Sequence, residues 1–399
     1  LGSIFIGGVH DFSALAASIK HKAASIGQIV KENMTKTSYI LFLIFVWFAL
    51  VYVIIAFTDI TAQTFKTVTS NMAYGPSVAA SSILYIFIAV VMGISLYKFK
   101  VKLTLATLIG VPLVLFVVWI GPKLPVSVLD AFAGISAKQY DVFLLIYCFI
   151  ASVIPMWLLL QPRGYLGGWL LYLTIAIGLI GAIFGGFAVQ YPAFNLDGLK
   201  SIVNGKLLFP ILFITVACGA CSGFHGIVSS GTTSKQLKKE SDAKAIGYGA
   251  MLLEALVAIL ALATVMMLPV GSELLKKDPN LIYANGLASY MQLIGIGFSI
   301  AFPFALLAFS TFVYDTLDVC TRLARYIMQE LLNLRSKSGG FIATFITLLL
   351  PLVFLLLTQE KGYLVAWPIF GTSNQLLAIL TILAVSVWLI KTGRKSFYE

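Results

Sequence analysis

The residues of this chain best suited to chemistry are ionisable groups standing inside apolar runs. Glu254 is the clearest case, set between Leu252, Leu253, Ala255 and Leu256. It follows Lys244 by ten residues, which is about 15 Å along a helix rising 1.5 Å per residue. A carboxyl at that depth is expensive in a membrane and marks an ion or substrate path by default. Burial favours its neutral form until a partner or cation arrives. That suits a proton carrier or a cation ligand; the structural alternative is a neutral carboxyl bonded to a neighbouring helix. His225 lies in the Gly-rich stretch from Cys218 to Gly226, followed by Ser229, Ser230, Thr232, Thr233 and Ser234. An imidazole there can read a substrate carboxylate, relay a proton or cap a freed backbone group. The hydroxyls and unwound carbonyls around it can form a sodium site, and the half-helix after the break offers N–H groups to an anion.

Three further groups belong with these. His10 and Asp11 are adjacent near the end of the first apolar run, lining a pathway or marking the cytoplasmic edge. Asp318 and Arg322, four apart, have the spacing of a helical ion pair, with Asp315 before them and Arg325 after. Gating or support of the fold suits that cluster. Asn374 and Gln375 are uncharged polar groups in the last apolar run, able to bind substrate or to join helices. The expected substrate set is therefore Ser222, Gly223, His225, Ser229, Ser230, Asn374 and Gln375. The expected coupling or gating set is His10, Asp11, Glu254, Asp318 and Arg322.

Cys218 and Cys221 with His225 suggest zinc only weakly, since a structural zinc needs four ligands and no fourth is visible. We expect no resident metal and no cofactor beyond a coupling H+ or Na+. The four cysteines, completed by Cys148 and Cys320, read as small packing residues rather than a disulfide framework. No HExxH, nucleophile elbow or P-loop is present, so no enzyme is expected.

The elements that hold these residues follow from composition. Of the 399 residues, 60% are hydrophobic and 11% charged, and the mean hydropathy is +0.98. Soluble domains run at about 45–50% apolar and 25% charged. A soluble globular protein, a disordered chain and a nucleic-acid-binding domain are excluded; the net charge of +11 sits in loops between apolar runs. An all-α polytopic membrane protein is expected, since a helix of roughly 20 residues crosses the hydrocarbon. Eleven spans are expected: 1–19, 38–57, 79–97, 103–120, 142–160, 165–189, 207–234, 245–268, 287–314, 341–357 and 364–390. With the segments 20–37, 98–102, 161–164, 235–244, 315–340 and 391–399 inside, all five arginines (Arg163, Arg322, Arg325, Arg335, Arg394) and most lysines, Lys395 among them, are cytoplasmic. The positive-inside rule then puts the C-terminus in the cytoplasm. The chain opens inside an apolar run without a Met, so native residues are expected before Leu1 of this single membrane domain. Two spans make poor continuous helices: 207–234, where Gly, Ser and Thr cluster and a break is expected, and 364–390, where Pro368 and Gly371 leave break and close packing both open. Gly8-Val9-His10 and Gly223-Phe224-His225 form a faint echo, each with a lysine (Lys20, Lys235) ten residues after its histidine; alone it defines no repeat.

Six ordered motifs together resemble the carbon starvation protein A (CstA) family across nearly the whole chain. They are Leu1-Gly-Ser-Ile-Phe with Gly8-Val-His-Asp11; Leu160-Gln-Pro-Arg163 with Tyr165-Leu166; Ser222-Gly-Phe-His-Gly-Ile-Val-Ser-Ser-Gly231 with Ser234-Lys-Gln-Leu237; Gly247-Tyr-Gly-Ala-Met-Leu-Leu-Glu254; Thr316-Leu-Asp318 with Thr321-Arg-Leu-Ala-Arg-Tyr326; and Trp367-Pro-Ile-Phe-Gly-Thr-Ser-Asn-Gln-Leu-Leu377. The resemblance implies a multi-pass inner-membrane secondary transporter induced in carbon-poor conditions, importing short peptides or pyruvate with ion coupling. It also implies kinship with the amino acid–polyamine–cation superfamily and its inverted repeat with broken helices, 207–234 being the second broken helix and the first lying before Leu1. The expected partners are a small carboxylate-bearing solute and the lipid bilayer, with no nucleic acid; the oligomeric state is open. The competing reading is a membrane nutrient sensor or channel without active transport.

Overall fold

The computed structural model describes residues 1–68, 73–203, 206–334, 336–359 and 361–393; Arg335, Arg394 and Lys395 of the charge pattern lie outside them. Fifteen helices follow in chain order: α1 (Gly8–Lys20), α2 (Ile26–Asn33), α3 (Lys36–Phe65), α4 (Tyr74–Tyr97), α5 (Leu103–Ile120), α6 (Val126–Ala133), α7 (Ala137–Val153), α8 (Leu160–Phe184), α9 (Leu208–Ala220), α10 (Gly223–Gly231), α11 (Ala243–Met266), α12 (Pro279–Leu293), α13 (Phe298–Leu331), α14 (Lys337–Leu357) and α15 (Tyr363–Lys391). One minimal hairpin pairs Ile202–Val203 with Lys206–Leu207, so the all-α reading stands.

Apolar runs make the helices, and short polar residues start them. Ser25, Thr35, Ser136 and Ser336 each accept a backbone N–H from the first turn of α2, α3, α7 and α14, and Gln139 completes a capping box with Ser136. Such caps satisfy donors that have no partner within the helix.

Among the described residues eight helices (α3, α4, α5, α8, α11, α13, α14 and α15) are long and apolar enough to span; the pair α6–α7, bent by 93°, makes nine. Of the eleven expected segments, the two that are not among these nine are 1–19 and 207–234. At the start, a π-helical turn over Ser3–Gly7 runs into the 13-residue α1. In 207–234, α9 ends at Ala220 and α10 begins at Gly223, the break expected there. The run 287–314 is also divided. Gly295 takes φ +82 between α12 and α13, a left-handed conformation that costs a glycine little. The last span is continuous through Pro368 and Gly371, so the packed reading holds for it.

Two segments expected as loops between spans belong to long helices instead. Arg163 belongs to α8 and is buried, and α13 stays helical through Leu331, carrying Asp315, Asp318, Arg322 and Arg325. Its 34 residues span about 50 Å, well beyond the ~30 Å hydrocarbon.

The centre of the bundle is α13 against α3, whose most apolar windows are 72% and 61% buried. At the edge lies α11, at 17%. It packs on α1, which also meets α10 and α15. The candidate site is therefore at the flank of the bundle, not in its best-packed core.

Candidate functional site

Four titratable side chains from three helices form one hydrogen-bonded line. His10 Nδ1 lies 2.7 Å from Asp11 Oδ1 on α1. Asp11 Oδ2 is 2.9 Å from His225 Nδ1 on α10, and His225 Nε2 is 2.8 Å from Glu254 Oε2 on α11. Burial is graded along the line: the His10 side chain is 0% exposed, Asp11 6%, His225 23% and Glu254 33%. At the closed end His10 Nε2 is buried without a hydrogen-bond partner among the described residues. At the other end Asp11, His225 and Glu254 line a cavity of about 230 Å³ together with Phe224, Ser229 and Thr233. Larger cavities, about 540 and 730 Å³, lie at the α1–α2 corner and beside Tyr39 and Glu330. The smaller one is the candidate because the titratable groups open into it.

Local folding explains the line. Cys221 and Ser222 leave the helix, Ser222 being extended at φ −111, ψ 120. The first N–H groups of α10 therefore need a partner. Asn374 of α15 supplies it: its Oδ1 accepts the Phe224 N–H at 2.8 Å and the Ser222 hydroxyl at 3.2 Å. Gly223 lets α10 come this near, because a Cβ there would stand 2.3 Å from the Asn374 carbonyl oxygen. This seat puts His225 three residues into a short helix, facing both α1 and α11. On the far side α11 reaches α1 at Gly247, where a Cβ would be 2.9 Å from the Phe12 Cα.

Other expected substrate residues do different work in this geometry. The Ser230 hydroxyl donates to the Gly226 carbonyl and accepts the Ile26 N–H at 3.0 Å, tying α10 to the start of α2. Ser229, nearly buried, stays on the cavity wall. Gln375 donates to the Phe213 carbonyl, joining α15 to α9. Ser222, Gly223 and Asn374 thus lie behind His225, and Ser229 beside it.

The chemistry follows from the atoms. Carboxylates only accept, whereas imidazolium donates from both nitrogens. Either His225 is charged between two carboxylates, or Glu254 holds the proton and donates it to a neutral ring. The two states differ by one proton moved across the 2.8 Å contact, and the cavity gives that proton an exit. Cys218 Sγ, His225 Nε2 and a Glu254 oxygen also lie within 4.8 Å of one another.

A second ionic cluster lies elsewhere. The expected pair of Asp318 with Arg322 is not formed. Asp318 Oδ2 instead meets Arg163 Nη1 at 2.5 Å and accepts the Tyr147 hydroxyl at 2.8 Å, and Asp315 meets Arg163 Nη2 at 2.7 Å. Arg322 turns the other way and donates to the carbonyls of Ala151 and Ile154, where α7 ends. The guanidinium of Arg163 is wholly buried, 4.9 Å from the Tyr314 ring centroid. Sequence reasoning assigned Arg163 to a loop. Arg163 stands between the apolar runs 142–160 and 165–189, so no local signal distinguishes it from a loop residue.

The chain matches the model of the family described as carbon starvation protein CstA over residues 1–274 and 270–398. The peptide transporter CstA of Helicobacter pylori strain J99 is 30% identical, over 99% of this chain and 65% of that protein. The peptide transporter CstA of Escherichia coli K12 is 28% identical over 99% and 65%, and the pyruvate/proton symporter BtsT of the same strain 28% over 99% and 66%. The chain thus spans about two thirds of these relatives' length. A manganese transporter of Eremococcus coleocola aligns with a TM-score of 0.36 at 12% identity, over 98% of this chain and 76% of that one.

Proposed function

This chain belongs to the carbon starvation protein CstA family, and on that premise we propose that it is a secondary active transporter importing a small carboxylate-bearing solute in symport with a proton. The observation that carries the proposal is the unbroken line His10–Asp11–His225–Glu254, which meets a cavity at a helix break. Broken helices at membrane depth are where transporters bind substrate and coupling ion. Glu254 takes the proton from the cavity and shares it with His225, whose charged form Asp11 holds; the proton leaves by the same cavity once the site faces the other side. The solute carboxylate docks beside His225, Ser229 and Thr233, where the charge of the imidazole attracts it. A sodium ion suits the site less well, because its centre is an imidazole nitrogen between two carboxylates rather than a cage of oxygens.

Relatives named for peptides and for pyruvate bracket the cargo. The cavity, about 230 Å³, is smaller than the roughly 300–1,000 Å³ of drug-sized ligand sites. That favours a short keto acid over a dipeptide. The basic loop residues support a plasma-membrane orientation with the C-terminus inside.

Counterflow in proteoliposomes tests the proposal, with labelled pyruvate and a labelled dipeptide run in parallel, each with and without a pH gradient. Exchange of pyruvate accelerated by an inward proton gradient is expected. A sensor or channel gives no counterflow, and that result overturns the transporter reading. Exchange indifferent to the gradient removes the proton.

A further inference from the structure

The cysteine beside the proton line has no part in the proposed transport, yet it completes a ligand set. We propose that Cys218, His225 and Glu254 bind a borderline-soft divalent cation of the Zn²⁺ class, with three protein ligands and the fourth position open to the cavity. The inference rests on the transport reading only for its effect on uptake; binding of the ion stands without it.

The donor atoms, one sulfur, one imidazole nitrogen and one carboxylate oxygen, are those zinc takes. They lie within 4.8 Å of one another. Zinc bonds of about 2.0–2.3 Å set tetrahedral donors roughly 3.3–3.6 Å apart, so the thiol needs to close by no more than about 1.5 Å. His225 and Glu254, at 2.8 Å, open slightly. The set spans α9, α10 and α11, with the non-helical Cys221 and Ser222 between the first two to take up the adjustment.

A second, independent observation is the far nitrogen of the ring. His225 Nδ1 is held by Asp11 Oδ2 at 2.9 Å, and Asp11 in turn by His10. A carboxylate on the outer nitrogen is the usual support of a metal-bound histidine: it fixes the tautomer and leaves Nε2 free for the ion. The ligand set differs from the Cys218–Cys221–His225 spacing visible in the sequence, because Glu254 replaces Cys221. A hard cation such as Na⁺ gains nothing from the thiolate, whereas zinc does.

Binding balances simply. The thiol proton and the proton shared by His225 and Glu254 leave to solvent, and the metal takes the thiolate, the neutral ring and the carboxylate. Metal and coupling proton are thus alternatives at one pair of atoms. A bound ion also ties both halves of the break to α11.

The test uses the purified full chain in detergent, stripped with chelator and dialysed against Zn²⁺ alone, with Cd²⁺ reporting a thiolate charge-transfer band. One ion per chain is expected. Cys218→Ser should weaken binding at least about tenfold, since even an outer-shell partner is worth 10–100-fold in affinity, and should abolish the cadmium band. Cys221→Ser should bind as the parent does. In proteoliposomes Zn²⁺ should inhibit uptake by the parent and not by Cys218→Ser, whose metal-free uptake matches the parent. Equal binding by Cys218→Ser, equal loss in Cys221→Ser, or no stoichiometric ion on protein that is monodisperse by gel filtration overturns the proposal. If no solute is taken up at all, the transport reading fails while the dialysis still decides this one.

Discussion

The two ionic clusters of this molecule place similar groups in opposite settings. Around Arg163, one guanidinium faces two carboxylates and two tyrosines between α7, α8 and α13. Arg163 and Asp318 are fully buried, and α13 is the best-buried helix of the bundle. Around His225, a titratable ring faces two carboxylates at a helix break. Its partner Glu254 is one-third exposed on the least-buried spanning helix. An arginine stays charged at any working pH, so the first cluster holds one arrangement. A histidine between carboxylates can take up or give away its proton, and this one has a cavity to exchange with. The lesson is that charge inside the membrane is not by itself a mark of transport. The mark is charge that can change, with a way out.

Replacing Arg163 attacks that comparison most heavily. Arg163→Ala strands the buried Asp318 and half-buried Asp315, and removing one partner of a buried pair costs about 3–5 kcal/mol. A large fall in the detergent melting temperature and in yield of monodisperse protein is expected. If the cluster is structural, Arg163→Met combined with Asp315→Asn and Asp318→Asn recovers much of the loss and keeps the pH profile of uptake. A rescued triple variant with shifted proton coupling would move part of the mechanism into this cluster.

The matching change in the other cluster should separate folding from function. Glu254→Gln keeps the shape and loses the proton. A hydrogen bond to a charged group contributes about 1.5–3 kcal/mol, so gradient-driven uptake should drop at least about tenfold, with a melting temperature close to the parent's. Uptake that stays full and pH-dependent takes Glu254 out of the mechanism.

The sequence shows one side of this contrast better than the other. Glu254 was legible because nine uncharged residues separate it from Lys244, and His225 because Gly and Ser surround it. The break at Cys221–Ser222 was legible for the same reason. That His10 and Asp11 join them was not, since nothing local links α1 to α11 over more than two hundred residues. The two halves of the Gly-x-His echo do meet: both rings bond Asp11. Arg163 was misplaced because a basic residue at the end of an apolar run reads as loop, and only tertiary packing brings acids to it. The Asp318–Arg322 spacing misled for the same reason, as Arg163 outcompetes a neighbour four residues away and the free ends of α7 claim Arg322. The run 287–314 hid its division because hydropathy continues across Gly295 while the backbone does not.

The smallest expected effect is also the most local. Asn374 touches no titratable group of the line; it holds the start of α10, and with it His225, through the Phe224 N–H and the Ser222 hydroxyl. Asn374→Ala removes that cap, at about 0.5–2 kcal/mol. The loss should fall on one short helix and leave the bundle intact. Hydrogen exchange reads this directly: amides of Phe224 to Val228 should exchange about two- to thirtyfold faster, following that energy range, while those of α13 do not change. Asn374→Asp keeps the acceptor oxygen and should restore slow exchange. Acceleration spread evenly over α10 and α13 would make Asn374 a general packing residue. The break would then be no more adjustable than the Arg163 cluster, and the contrast between the two regions would lose its mechanical basis.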